Sequence, residues 1–382
     1  MRLVHLADLH LGFRAYSRTT SVGINRREAD VSQAFQKALQ ATIELAPDLL
    51  LIAGDVFHVP RPGNLAVIEA QKQLAKFCYA SATEVVIIAG NHESVRTSDS
   101  RCILELLALI PQVRVVANKP EAIEITGRDG DRAKVFCLPH NSLEQAQDLI
   151  IKPDPEFKYN LVMLHGTVDN NRINDYGGYD VPAKLLNLQW DYVACGHYHS
   201  YTNLGNNAFY AGAIERTSND IWKEAGEDKG LIEFDLATHK HKFHALKGLR
   251  ETIDLPTIDA KGLEANEINQ KIAAQAAQAE IKNKIVRQRV DNLPRSVQRQ
   301  LDYRQIRTFQ AEAVHYLFAP RSPESSVNQA DGDYADQNEP RSNQVSLAEE
   351  ATNFLQKRDL PADVDRDQFV ARGVAYLKTE SP

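Results

Sequence analysis

The chain lacks any close pair of cysteines. Its four, Cys78, Cys102, Cys137 and Cys195, are scattered and form no C-x-x-C pair, which excludes a disulfide scaffold and fits reduced thiols in a cytoplasmic protein. No apolar run is long enough to span a bilayer, so no membrane partner is expected. The first residues carry neither a basic region nor a long apolar one, and no signal peptide is expected. Positive charge is also short. The formal net charge of the 382 residues is −7, so bulk electrostatics would not draw in nucleic acid; any such binding must rest on local basic patches or bound cations. No P-loop occurs, so ATP use would have to come from a partner. There is no long-period internal repeat. The length is too great for one ordinary core, and two or three domains are expected.

What is present is concentrated first in Leu3–Gly12, LVHLADLHLG. Leu3, Val4 and Leu6 read as a buried strand, and Asp8 and His10, two apart, are expected to project to one side beyond its C-terminal end. Open α/β sheets place their sites at that edge. The pattern then repeats. Leu49–Ala53 runs into Gly54-Asp55, Glu84–Ala89 into Gly90-Asn91-His92-Glu93, Asn160–Leu164 into His165-Gly166, and Asp191–Cys195 into Gly196-His197-Tyr198-His199. A lone histidine after a strand is usually a hydrogen-bonded loop residue. Five strands ending this way, mostly beside glycine, point instead to side chains brought to one rim.

Between the strands, helical periodicity covers the stretch up to Glu44 and about Leu65–Tyr79. A further helix is expected over Asp99–Ile110, its apolar residues Ile103, Leu106, Leu107 and Ile110 exceeding what a one-sided surface helix needs. Core burial is the plainer reading and a dimer contact the sharper one. Short strands follow at Val113–Val116, Ala122–Ile125 and Lys134–Leu138, then a helix near Leu143–Ile151. The loop Thr167–Tyr179 could border a cleft. Strands resume at Ala208–Gly212, Gly230–Leu236 and His241–Leu246. From about Glu251 the regime shifts to a helix at Ile268–Ala279 and a basic stretch with Lys282, Lys284, Arg287, Arg289, Arg295, Arg299, Arg304 and Arg307. That stretch reads as a phosphate-contacting surface or as a solvated face. Arg321–Arg341 is polar and linker-like, and Ser346–Glu349 has the form of a capping box that opens a terminal pair of amphipathic helices. Their small core favours docking on a partner.

Carboxylate, amide and imidazole donors without thiolate suit Mn²⁺, with Mg²⁺, Fe²⁺ and Zn²⁺ behind it. The donors suffice for two ions with a carboxylate between them, a clamp for displacement at phosphorus. His92 remains as an unliganded imidazole able to protonate a leaving alkoxide. His239, His241 and His244 are expected on an exposed strand away from this set, and His58 and His140 near the cleft without a role.

Asp8-x-His10, Gly54-Asp55, Gly90-Asn91-His92-Glu93, His165 and Gly196-His197-x-His199, in this order, resemble the calcineurin-like metallophosphoesterases. The longer stretches His5–Gly12, Gly54–His58 and Tyr210–Arg216 are similar to the SbcD-type DNA-repair exonucleases, with Ala213 where that family usually has Ser. The resemblance covers Met1 to about Asp235 and is looser beyond. It implies an α/β fold, a two-sheet sandwich flanked by helices, with a small α/β capping domain and a C-terminal helix pair. The expected bounds are 1–248 for the nuclease domain, 249–320 for the DNA-capping domain, 321–342 for a linker and 343–382 for an ATPase-binding segment. It further implies that Asp8, His10 and His199 hold one metal, that Asn91, His165 and His197 hold the other, that Asp55 bridges and that His92 is catalytic. The family uses Mn²⁺, forms homodimers through helices of the nuclease domain, cuts DNA ends and hairpins as a 3′→5′ exonuclease and endonuclease in double-strand break repair, and works with an SbcC-type ATPase. The alternatives are a phosphoesterase of small phosphodiesters or phosphoproteins, and a non-catalytic scaffold that binds DNA ends.

Overall fold

The computed structural model describes residues 1–94, 101–143, 151–168 and 189–323, with isolated positions from 180 to 185 and from 355 to 372. The chain divides into two compact units, Met1–Pro323 and Glu324–Pro382.

The first unit is built on two mixed sheets. One has the order β14-β13-β1-β2-β3-β4, from β1 (Arg2–Leu6), β2 (Leu49–Ala53), β3 (Glu84–Ile88), β4 (Val113–Val116), β13 (Gly230–Asp235) and β14 (Lys240–Ala245). The other has the order β11-β12-β10-β7-β6-β5, from β5 (Glu121–Thr126), β6 (Arg132–Leu138), β7 (Tyr159–His165), β10 (Tyr192–Gly196), β11 (Thr202–Gly205) and β12 (Ala208–Tyr210). A short parallel pair, β8 (Thr167–Val168) and β9 (Asp180–Val181), lies outside both. Strands β1 to β4 run parallel, as do β6, β7 and β10, so each set delivers its C-terminal ends to one edge.

The strands are continuously apolar because both faces are covered. In β2, Leu49, Leu51 and Ala53 face the second sheet, joining Met163, Tyr192 and Phe234 in the inter-sheet core. Leu50 and Ile52 face the helices, against Val31 and Phe35 of α1 (Arg26–Leu45) and Leu74 of α2 (Asn64–Ala80). Helix α1 starts where the Asn25 side chain accepts the N–H groups of Arg27 and Glu28, and stops at Ala46 in the left-handed region before Pro47. Ile103–Leu109 is a 3₁₀ helix rather than the α-helix expected over Asp99–Ile110; Asp99 and Ser100 lie outside the described residues. Its Leu104 and Leu107 enter the core, as the burial reading expects, while Leu106 and Leu109 are exposed.

One buried pair crosses the sandwich: His5 Nδ1 lies 3.0 Å from the Tyr192 hydroxyl. Burial pushes the His5 imidazole down from 6.5 to about 3. Between those values the unfolded chain binds a proton that the folded chain does not, so stability falls as pH drops from 6.5 towards 3. His5 contributes about 1.4 kcal/mol per pH unit to that slope. Urea unfolding across the window is expected to show a shallower dependence for His5→Leu, by about that amount; an equal slope would contradict it.

The first unit ends in a third, parallel sheet centred on β17 (Ile285–Asp291). It is flanked on one side by β15 (Thr252–Asp254) and β16 (Ile258–Asp259) and on the other by β18 (His315–Pro320). Helices α3 (Ala265–Gln278), α4 (Arg295–Gln298) and α5 (Tyr303–Glu312) accompany it. Arg250 pairs with both carboxylate oxygens of Asp30 on α1, and Arg18 donates to the carbonyls of Gln310 and Ala311. The basic stretch is partly consumed inside this sheet. Arg287 grips Asp254 bidentately, at 3.0 and 2.8 Å, Arg289 reaches the same carboxylate, and Lys284 pairs with Glu251. Lys282, Arg295, Arg299, Arg304 and Arg307 remain exposed.

In the second unit, Asp365 Oδ1 accepts the N–H of Gln368 at 2.9 Å, opening a helical turn. The linker from residue 324 on, the capping box at Ser346–Glu349 and most of the terminal helix pair lie outside the described residues. So do residues 144–150 of the expected helix and 169–179 of the expected cleft loop.

Candidate metal centre

All eight residues singled out from the sequence meet at the shared edge of the two sheets. Strand alternation is not what aligns Asp8 and His10. Strand β1 ends at Leu6, and beyond it Asp8 and His10 sit at φ 51° and 48°, Asp55 at 50° and His197 at 110°. These are left-handed turns on non-glycine residues, a conformation that surrounding structure must hold. It is held by Asp8 N–H to Gly54 O at 3.1 Å and His10 N–H to Asp55 O at 2.9 Å. Two glycines are required by close approach. A Cβ on Gly196 would stand 1.8 Å from the Ala53 carbonyl oxygen, and one on Gly90 would stand 2.1 Å from Asp55 Oδ1.

The donors form two groups. His10 Nε2 and His199 Nε2 face each other at 3.0 Å, and Asp8 joins them within 4.8 Å. On the other side Asn91 Oδ1 lies 2.9 Å from His165 Nε2 and 3.1 Å from His197 Nδ1. Asp55 stands between the groups, its Oδ2 3.8 Å from His10 Nε2, 3.4 Å from His165 Nε2 and 3.9 Å from His92 Nε2. Donors about 3 Å apart are what bonds of about 2.0–2.2 Å to one cation produce. His165 Nδ1 donates to the Ala53 carbonyl at 2.8 Å, which turns Nε2 inward toward Asn91 and Asp55. Two imidazole nitrogens facing each other, and oxygen and nitrogen donors without thiolate, fit a pair of hard or borderline divalent ions.

The calcineurin-like phosphoesterase family matches residues 1–201, just over half of the chain. This protein belongs to that family.

Among similar curated proteins are several named DNA double-strand break repair protein Mre11. That of Methanopyrus kandleri is 30% identical over 254 residues, covering 62% of this chain and 54% of the relative. That of Methanocaldococcus jannaschii is 28% identical over 245 residues, covering 61% and 63%. The Sulfolobus acidocaldarius protein is 26% identical over 205 residues, covering 52% and 50%. The chain thus spans about half to three-fifths of the length of these relatives.

The electrostatics of the phosphoesterase site follow from burial. Asp8 is pushed up to about 6 by desolvation, against the pull of His165 and His199. For Asp55, burial acts upward, but His165, His10 and His92 hold the carboxyl well below its usual value. Burial would lower His165, yet Asp55 carries it up to about 9. His10 is held well below the ordinary imidazole value by burial and by His199, and His197 falls to about 3 by burial and His165. Asp8 also ties the halves together, both its carboxylate oxygens accepting the His197 peptide N–H at 3.1 Å.

His92 is partly exposed, its side chain 31% accessible. Its Nδ1 is 2.5 Å from the His58 carbonyl and its N–H donates to Asp55 Oδ1, so Nε2 is turned toward the cleft. His58 sits beside the set, Nδ1 3.4 Å from His10 Nδ1, and His140 packs behind His165. His239, His241 and His244 lie on or beside β14; His244 pairs with Glu233 at 2.8 Å.

Three charged residues with no assigned role in the sequence reading prove to be buried here. Glu93 accepts the N–H groups of Phe57 and Gly90, at 2.6 and 2.9 Å, locking two of the site loops together, and burial pushes it up to about 8. Its place after Asn91-His92 was the available signal. Glu224 and Lys229 form a buried pair behind His199. They lie in a polar stretch that follows no glycine-ended strand, and nothing local marks them.

Proposed function

We propose that this chain is the nuclease subunit of a DNA double-strand break repair assembly, a Mn²⁺-dependent phosphodiesterase that acts on DNA ends and hairpins as a 3′→5′ exonuclease and endonuclease. The observation that carries this reading is the meeting of two donor groups across Asp55 at the sheets' common edge. On it, Asp8, His10 and His199 would hold one ion, Asn91, His165 and His197 would hold the other, and Asp55 would serve both. When bound, the ions supply positive charge that offsets the negative charge developing at phosphorus and acidify water. The chain does the rest. Asp8 and Asp55 set the charge of the centre, the peptide N–H groups of His92 and His197 hold those carboxylates in place, and His92 Nε2 delivers a proton to the leaving oxygen.

The names of the archaeal relatives support a DNA substrate and a place in break repair. The exposed Lys282, Arg295, Arg299, Arg304 and Arg307 support phosphate contact by the third sheet and its helices, as a capping domain over residues 249–320 beside a nuclease domain of 1–248. Exposed Leu65 and Ile68 on α2, and exposed Leu106 and Leu109 on the 3₁₀ helix that packs against α2, suit a homodimer contact. An SbcC-type ATPase is the partner we assign to residues 343–382, joined through a linker at 321–342, in the cytoplasm. Incubating the full chain and Mn²⁺ with duplex DNA ends and, separately, with a small chromogenic phosphodiester tests the substrate. Metal-dependent shortening of 3′ ends is expected; turnover of the small diester alone would remove the nuclease reading.

A further inference from the structure

His199 presents two nitrogens to two different surroundings. Its Nε2 faces His10 in the centre, while on the far side its Nδ1 meets Glu224 Oε1 at 3.6 Å. Glu224 is 4% exposed and Lys229 2%. Lys229 Nζ is paired with Glu224 Oε2 and donates to the carbonyl of His199 itself at 2.7 Å. A buried ion pair of this kind is weak evidence for stability, since desolvating both charges offsets most of their attraction. It is, however, what an imidazole ligand uses when its outer N–H needs an anionic acceptor.

The segment carrying Glu224 is anchored elsewhere. Asp220–Glu227 is a chain of tight turns, with the N–H of Lys223, Glu224, Ala225 and Glu227 each bonded to the carbonyl three residues back. Two residues of it reach the third sheet. Ile221 packs with Ile285 and Val314, and the Trp222 ring lies 4.9 Å under the Arg287 guanidinium, which Asp254 fixes. His199 and the third sheet therefore share one short, stiff connection.

We propose that Glu224 is a positioning residue that orients His199 as a metal ligand, and that the third sheet takes part by clamping the segment through Ile221 and Trp222. The assignment rests on the two-ion reading of the centre. The test is calorimetric titration of the full chain with Mn²⁺ alone, with unfolding temperature measured alongside. Glu224→Gln is expected to weaken one of the two ions roughly 10- to 100-fold and leave the other unchanged. Trp222→Ala, which touches no ligand, is expected to weaken the same ion by less. Should Glu224→Gln fail to fold, Glu224→Gln with Lys229→Met removes both buried charges together and is expected to show the same selective loss. Two ions of unaltered affinity in the Glu224 variant, with or without a lower unfolding temperature, overturn the assignment and leave the centre intact. A loss with Glu224→Gln and none with Trp222→Ala overturns the part given to the third sheet. Failure of the unmodified chain to bind two ions overturns the reading of the centre and this inference with it.

Discussion

Asp55→Asn is expected to abolish the centre while sparing the fold. Asn keeps the oxygen that accepts the His92 N–H, so the loop after β3 retains its tie. What disappears is the negative charge between His10, His165 and His92, whose Nε2 atoms lie 3.8, 3.4 and 3.9 Å from Asp55 Oδ2. Without it the two donor groups share no anion, and His165 loses the partner that raises its basicity. Titration with Mn²⁺ should show loss of at least one ion, and kcat for DNA hydrolysis should fall on the order of 10³-fold, the scale of removing a preorganised charge from a transition-state site. Turnover within tenfold of the unmodified protein would mean the ions do not meet across Asp55.

His92→Gln is expected to separate chemistry from binding. His92 is not placed among the ion-holding donors, and its side chain is 31% accessible. Its Nδ1 is engaged by the His58 carbonyl, which leaves a single nitrogen for proton delivery. Glutamine retains size and polarity but transfers no proton. Ion stoichiometry and DNA affinity should be unchanged, and kcat should drop about 10²- to 10⁴-fold, the usual contribution of a positioned acid or base. Retained cleavage would assign the proton to another group; lost ion binding would make His92 a ligand.

Much of the architecture can be read from local pattern. Leu49–Ala53 and residues 85–88 are apolar on both faces, the pattern of a strand covered on both sides. The helical periodicity expected up to Glu44 meets α1, which ends at Leu45. Elsewhere local pattern misleads. Ile103–Leu109 has helical periodicity but packs as a 3₁₀ turn with Leu106 and Leu109 left outside. Arg287 and Arg289 look like a free basic face, yet Asp254, more than thirty residues away, takes both. Asp8 and His10 align through left-handed turns, which strand alternation does not encode.

By itself the amino-acid order determined the donor types, their succession along the chain and the strands that deliver them, because hydrophobic period and glycine placement act within a few residues. Only the packing of one sheet on the other decided that His10 meets His199, that Asn91 meets His165 and His197, that Asp55 falls between the groups and that Glu224 stands behind His199. Those separations are set by side chains filling the space between distant segments, a property of the assembled core that no single stretch of sequence contains.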